Sequence, residues 1–218
     1  MISVIATYSS YVDTLVAQPI GRGSMGCFSF IPSALFPKDS IKRYFCEHEM
    51  GSDTDDLTSK LWKHGRQHLR ALKNGAARAV IEIGAVQRMV EKGRVHVGRP
   101  EYEIGFAERL HVLKEMRPLI VSGAMRVAYE LAPYTFRLYP PNVILLDVTR
   151  NTTEQRVQGI SIVDQASYDI FEAEFNRLST QSITPAFMGR TTKYIETAIA
   201  GLTHGESASH PRVLKSGG

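Results

Sequence analysis

Cysteine is scarce in this chain. Cys27 and Cys46 are the only two in 218 residues, and two cysteines make no disulfide framework. The fold must be held by packing alone, and a reducing cytoplasm is the expected compartment. Long apolar runs are missing as well. No stretch approaches the ~18 residues of a membrane span, and the opening MISVIATYSSYVDTLV lacks the basic start and long apolar core of a secretory signal. Nor is there a strong charge of either sign. The net charge is +4 and the pI about 9.1, which permits an acidic partner, nucleic acid included, without requiring one. No internal repeat, no G-x-S-x-G nucleophile elbow and no Walker loop occurs.

What remains is an ordinary globular balance, with 22% charged and 43% hydrophobic residues. The length suits one large domain or two small ones, and it allows an adequate core without cross-links. The clearest segment covers residues 142–178, NVILLDVTRNTTEQRVQGISIVDQASYDIFEAEFNRL. Residues 143–148 are apolar and β-branched, as in a strand buried on both faces. A polar turn over 149–155 leads to a returning strand over 156–163, where Gly159 and Ser161 thin one face and admit a close neighbour. Asp164 is placed to cap a helix over about 165–178. Ile170, Phe171, Phe175 and Leu178 fall at helical spacing beside Glu174 and form its core stripe.

Earlier in the chain, residues 1–18 suit a strand or a short helix, closed by Pro19. Gly21-Arg22-Gly23-Ser24-Met25-Gly26 spells G-x-G-x-x-G, but strand-like CFSFIP follows in place of the helix that a dinucleotide site needs. The string looks like a protein-kinase phosphate loop, yet no V-A-I-K, H-R-D or D-F-G accompanies it. It is read as a turn between two strands. Residues 38–50 suit a short helix or strand. Residues 52–73 predict a helix capped by Ser52 or Thr54, with Asp55 and Asp56 in its first turn and Leu57, Leu61, Trp62, Leu69 and Leu72 inward. A strand over 79–83 and a short helix over 85–92, ended by Gly93, come next. A helix within 100–116 carries Ile104, Phe106, Leu110, Leu113 and Met116 largely inward. Strands are expected over 119–122, 125–131 and 134–139, and a last helix over 191–202.

This pattern predicts an α+β (or α/β) fold, a mixed β-sheet with several amphipathic helices packed on it. Three parts are expected: a β-rich N-terminal portion over 1–51, either within the same domain or a lobe of its own, a main body over 52–202, and a loose tail over 203–218.

Two clusters point to chemistry. Cys46, His48, His64 and His68 supply one thiolate and three imidazoles, a set that can hold zinc tetrahedrally. His64 and His68 sit i and i+4 on the helix over 52–73, so their rings share a face. The string between them, H-G-R-Q-H, lacks the glutamate of a zinc peptidase, and a hydrogen-bonded core histidine explains His68 equally well. On the opposite side of that helix Lys63, Arg66, Arg70 and Lys73 gather into a basic face suited to a phosphate backbone or simply to solvent. Asp147 closes an apolar strand, a position that often faces a cleft. Glu82 inside a hydrophobic strand wants a partner, for which Arg109 is a candidate.

Taken in order, AVIEIGAVQRMVEKG, FAERLHVL, NVILLDV, RVQGISIV and FEAEFNRL resemble the C-terminal effector domain of actinobacterial helix-turn-helix regulators. The resemblance spans about half of the chain, from Ala77 to Ile183, and the family's DNA-binding domain is missing. It implies a bacterial sensor or protein-interaction module, with a small molecule or a protein as partner and a role in transcription regulation. Three functions are therefore carried forward: a non-catalytic regulatory module, a metal-dependent enzyme using the Cys46/His48/His64/His68 set, and a nucleic-acid-binding protein using the basic helix 60–73. The oligomeric state is left open.

Overall fold

The computed structural model describes residues 1–47, 54–95, 102–129, 135–147, 158–181 and 185–203. The expected hairpin-and-helix unit sits at the centre of the fold. Strands β8 (Val143–Asp147) and β9 (Gly159–Val163) run antiparallel, with Ile144 opposite Ile162 and Leu146 opposite Ile160. Helix α6 (Gln165–Gln181) follows. Asp164 caps it: the Ser167 N–H donates to Asp164 Oδ2 at 2.8 Å and the Ser167 hydroxyl to the same oxygen at 2.7 Å. Phe175 is fully buried, and the Phe171 ring meets Phe136 edge-on at 5.1 Å. Ile170, expected inside, is 69% exposed. At about 100° per residue it falls roughly a third of a turn off the line of Tyr168, Phe171, Phe175 and Leu178, and Tyr168 takes the inward place.

The fold is α+β: helices packed on a seven-stranded mixed sheet, with a two-stranded sheet of β4 (Arg94–Val95) and β5 (Tyr102–Glu103) beside it. The large sheet has the order β1 (Ile2–Ile5), β9, β8, β7 (Thr135–Tyr139), β2 (Ser24–Phe28), β3 (Ala77–Glu82), β6 (Met125–Ala128). Three of its strands are parallel, β2, β3 and β6. Long helical connections permit this: α2 (Lys38–Glu47) and α3 (Thr54–Lys73) join the first pair, and α4 (Ile83–Lys92) and α5 (Phe106–Val121) join the second. The other strands, β7, β8, β9 and β1, are antiparallel neighbours. The N-terminal stretch is thus threaded through the same sheet, β1 at one edge and β2 between β7 and β3, with helix α1 (Tyr8–Val16) between them.

Alternation along the strands builds two cores. Met25, Cys27, Val80, Phe136, Leu138 and Ile144 face α6 and pack on Tyr168, Phe175 and Leu178. Phe28, Ala79, Ile81, Val127 and Leu145 face the other way, onto α1, α3, α4 and α5. Helix α7 (Pro185–Thr203) lies against α5. No helix among the described residues is long and apolar enough to cross a membrane.

Three expectations are corrected. Residues 119–122 are not a strand; α5 runs on to Val121 through Pro118, because Leu119 and Ile120 continue the helical stripe of Val112, Leu113 and Met116. Phe106 opens α5 at 46% exposure and is covered by the Arg109 guanidinium, 4.3 Å from its ring centre. The G-x-G-x-x-G string follows a helix, α1, rather than a strand, and its last glycine lies inside β2.

Candidate functional site

Strand β7 reads TFRLY, and all five residues are buried. Period-two alternation puts Thr135, Arg137 and Tyr139 on the face opposite Phe136 and Leu138. A guanidinium inside a sheet covered on both sides is costly unless its charge and donors are matched. Asp147 supplies the match. It closes β8, in register with Thr135 and diagonal to Arg137. Arg137 Nη1 donates to Asp147 Oδ2 at 2.9 Å, with the two side chains only 10% and 6% exposed. The same nitrogen donates to the Tyr11 hydroxyl, brought in by α1. The Phe28 ring lies 5.1 Å from the guanidinium carbon, within cation–π range.

Two glycines make room for the aromatic walls. Gly26 stands opposite Arg137 in the register of β2 and β7, and a Cβ there would overlap the Phe28 ring. Gly159 stands opposite Asp147, and its Cβ would lie 2.9 Å from Tyr11 Cδ2. At the open end of the strands the Ser29 N–H donates to Thr135 Oγ1 at 3.1 Å, and the two hydroxyls are 2.9 Å apart.

Helix α3 closes the centre from above with His64 and His68. Burial, then the Arg137 charge, then His68, lower the pKa of His64 to about 3. Burial and then Arg137 lower that of His68 to about 4. Both rings are neutral at physiological pH. The buried Nδ1 of His64 has no hydrogen-bond partner among the described residues. Burial raises the Tyr11 hydroxyl well above its usual range, against the pull of Arg137, and raises Tyr139 to about 12. Burial works to lower Arg137, but the Asp147 carboxylate and the hydrogen bond to the Tyr11 hydroxyl outweigh it and hold the guanidinium charged. Beside this group lies a cavity of about 10 Å³, lined by Ile20, Ser24, Met25, His68, Arg137 and Tyr139. That is room for about one water.

The sequence-derived sites fare differently. His64 and His68 do share a face, and it is turned to Arg137. A fixed positive charge there opposes a dication. The side chain of Cys46 and the whole of His48 lie outside the described residues, and within those no group of three metal-ligating side chains gathers. Lys63, Arg66, Arg70 and Lys73 all lie on α3. Lys73 is paired with Glu115 at 2.8 Å, whereas Lys63, Arg66 and Arg70 have no ion-pair partner among the described residues. Arg109 donates to the Val90 carbonyl at 3.1 Å rather than to Glu82, and Glu82 is half-buried at the end of β3. Sequence reasoning missed Arg137, Tyr11 and Tyr139. The available signal was the arginine itself, set in a strand among aromatics ten positions before an aspartate.

No known protein family, no curated protein and no solved structure matches this chain.

Proposed function

We propose that the chain is a non-catalytic regulatory or sensor module of the bacterial cytoplasm, acting by binding a protein partner ahead of a small molecule. One observation carries this reading: among the described residues, the buried Arg137 charge is already matched within the chain. Asp147 and Tyr11 use Arg137, both histidines are uncharged, no activated nucleophile among the described residues adjoins them, and the adjoining space takes about one water. A substrate would have to displace packed residues to reach it. The resemblance to regulator effector domains points the same way, as analogy alone. Cys27, the free thiol of β2, is buried and raised to about 12, so it is poorly disposed to redox chemistry.

The test is a broad turnover screen run beside a thermal-shift screen with metabolites and candidate proteins. We expect no turnover and a stabilising shift with a protein partner. Turnover abolished by His68→Gln with the fold retained would replace this reading with an enzyme. Elemental analysis of untagged protein separates the zinc reading, for which stoichiometric metal is required.

A second reading has its own observation, three cations of α3, Lys63, Arg66 and Arg70, that have no ion-pair partner among the described residues. Three phosphate contacts give a salt slope of only roughly −3 on a log–log plot. Binding to duplex DNA that follows this slope, and fades in Arg66→Ala with Arg70→Ala, would mean non-specific affinity. A much steeper slope would favour a nucleic-acid role.

A further inference from the structure

The two edges of the large sheet are built differently. Edge strand β6 carries a charge, Arg126, whose Nη1 donates to the Ser179 carbonyl at 2.9 Å. Edge strand β1 carries none. No charged side chain precedes Asp13 in the chain, and β1 holds no proline. Ile2 and Val4 are 70% and 64% exposed. Edge strands are usually guarded by lysine, proline or a bulge, because an open edge is a template for another strand. Helix α6 packs on β8, β7, β2, β3 and β6. On that same face Ile2 and Val4 extend the rows of Ile162 and Ile160, both only half-buried.

The hydrogen-bonding pattern fixes what the edge offers. Met1 and Val163 exchange both backbone bonds, at 2.9 Å and 2.8 Å. In an antiparallel pair such exchange alternates along the strand. Ser3 therefore pairs inward with Ser161, while the N–H and C=O groups of Ile2 and Val4 point away from β9. The outward run Ile2-Ser3-Val4 has the same chemistry read in either direction: branched apolar, small, branched apolar.

From this we infer that β1 is the contact between two copies of this chain. The inference rests on the reading that the chain works through protein contacts. A two-fold axis through Ser3 sets Ile2 against the partner's Val4, and Val4 against the partner's Ile2. Each of these pairs exchanges two backbone bonds, and Ser3 faces its own copy. The two sheets become one, and no like charges meet along the seam. A strand from a different protein could also use this edge, but the symmetric register and the absence of charged side chains favour a second copy.

Sedimentation equilibrium of the untagged full chain over a wide concentration range tests this. We expect a monomer–dimer equilibrium that is insensitive to salt. Val4→Pro removes an N–H that β9 does not use, so the monomer fold is kept. In the dimer it removes both symmetry-related Val4 N–H bonds and raises the dissociation constant roughly 10-fold or more. Val4→Lys is a second, independent variant; it puts like charges on both sides of the seam and is expected to give a monomer. A chain that is monomeric at every concentration overturns the inference, as does a dimer unchanged in both variants. Neither result bears on the non-catalytic reading, which the turnover screen decides separately.

Discussion

Arg137 and Asp147 are ten positions apart in the chain and 2.9 Å apart in space, on adjacent antiparallel strands, and neither side chain is more than 10% exposed. Removing one partner leaves the other charge buried and unmatched. Arg137→Met and Asp147→Leu, each alone, are expected to destabilise the fold by about 3 kcal/mol, whereas the two combined should lie near the wild type. Urea unfolding of the two single variants and the double variant closes the cycle. If the double variant is as unstable as the sum of the singles, the pair has no such coupling.

Tyr11 can reach Arg137 only because residue 159 has no side chain. Gly159→Ala puts a Cβ 2.9 Å from the ring and 3.0 Å from the Leu146 carbonyl oxygen. The carbonyl belongs to the strand ladder and cannot swing away. A loss of roughly 1–3 kcal/mol is expected, together with a changed near-ultraviolet tyrosine signal. An unaltered spectrum with wild-type stability would show that the ring is not held there.

The two histidines make stability depend on pH in a defined window. A free histidine titrates near 6.5, whereas His64 is held at about 3 and His68 at about 4. Below pH 6.5 the unfolded chain therefore binds protons that the folded chain refuses. Stability rises with pH through this range, is complete above it, and is lost as pH falls toward the folded values. Each histidine contributes a slope approaching about 1.4 kcal/mol per pH unit. Asp55, Asp164, Glu108 and Glu174, whose pKa values are lowered, act in the same direction but at lower pH. The interval from pH 5 to 6.5 thus belongs to the histidines. Urea midpoints across it should flatten stepwise in His64→Gln and His68→Gln.

The parts of the fold that are legible in the sequence are those where one local signal suffices. Asp164 followed by a helical stripe, or Asp55 and Asp56 at the head of α3, requires no knowledge of neighbours. Arg137 shows the opposite case. TFRLY alternates as a strand with one wet face would, so Arg137 reads as solvent-facing. Only the stacking of α1 and α3 on that face buries it, and that stacking is set by residues far off in the chain, Tyr11, 126 positions away, among them. The end of α5 fails for a related reason: a proline and a β-branched pair suggest a strand, but burial of Leu119 and Ile120 keeps the helix going.

Helix α6 offers a sharp comparison between neighbouring apolar residues. Phe175 is fully buried among the residues of β2, β3, β7 and β8, with the Arg78 guanidinium 5.2 Å from its ring centre. Ile170 is 69% exposed. Truncating the first leaves a cavity in a core that cannot close over it, so Phe175→Ala should cost roughly 3–5 kcal/mol. Truncating the second exposes little that was not already wet, and Ile170→Ala should stay within about 0.5 kcal/mol of the wild type. Equal losses at the two positions, measured by chemical unfolding, would mean that α6 is rotated from the placement described above. Because α6 covers the Met25, Cys27 and Phe136 face, such a rotation would reorder that whole core.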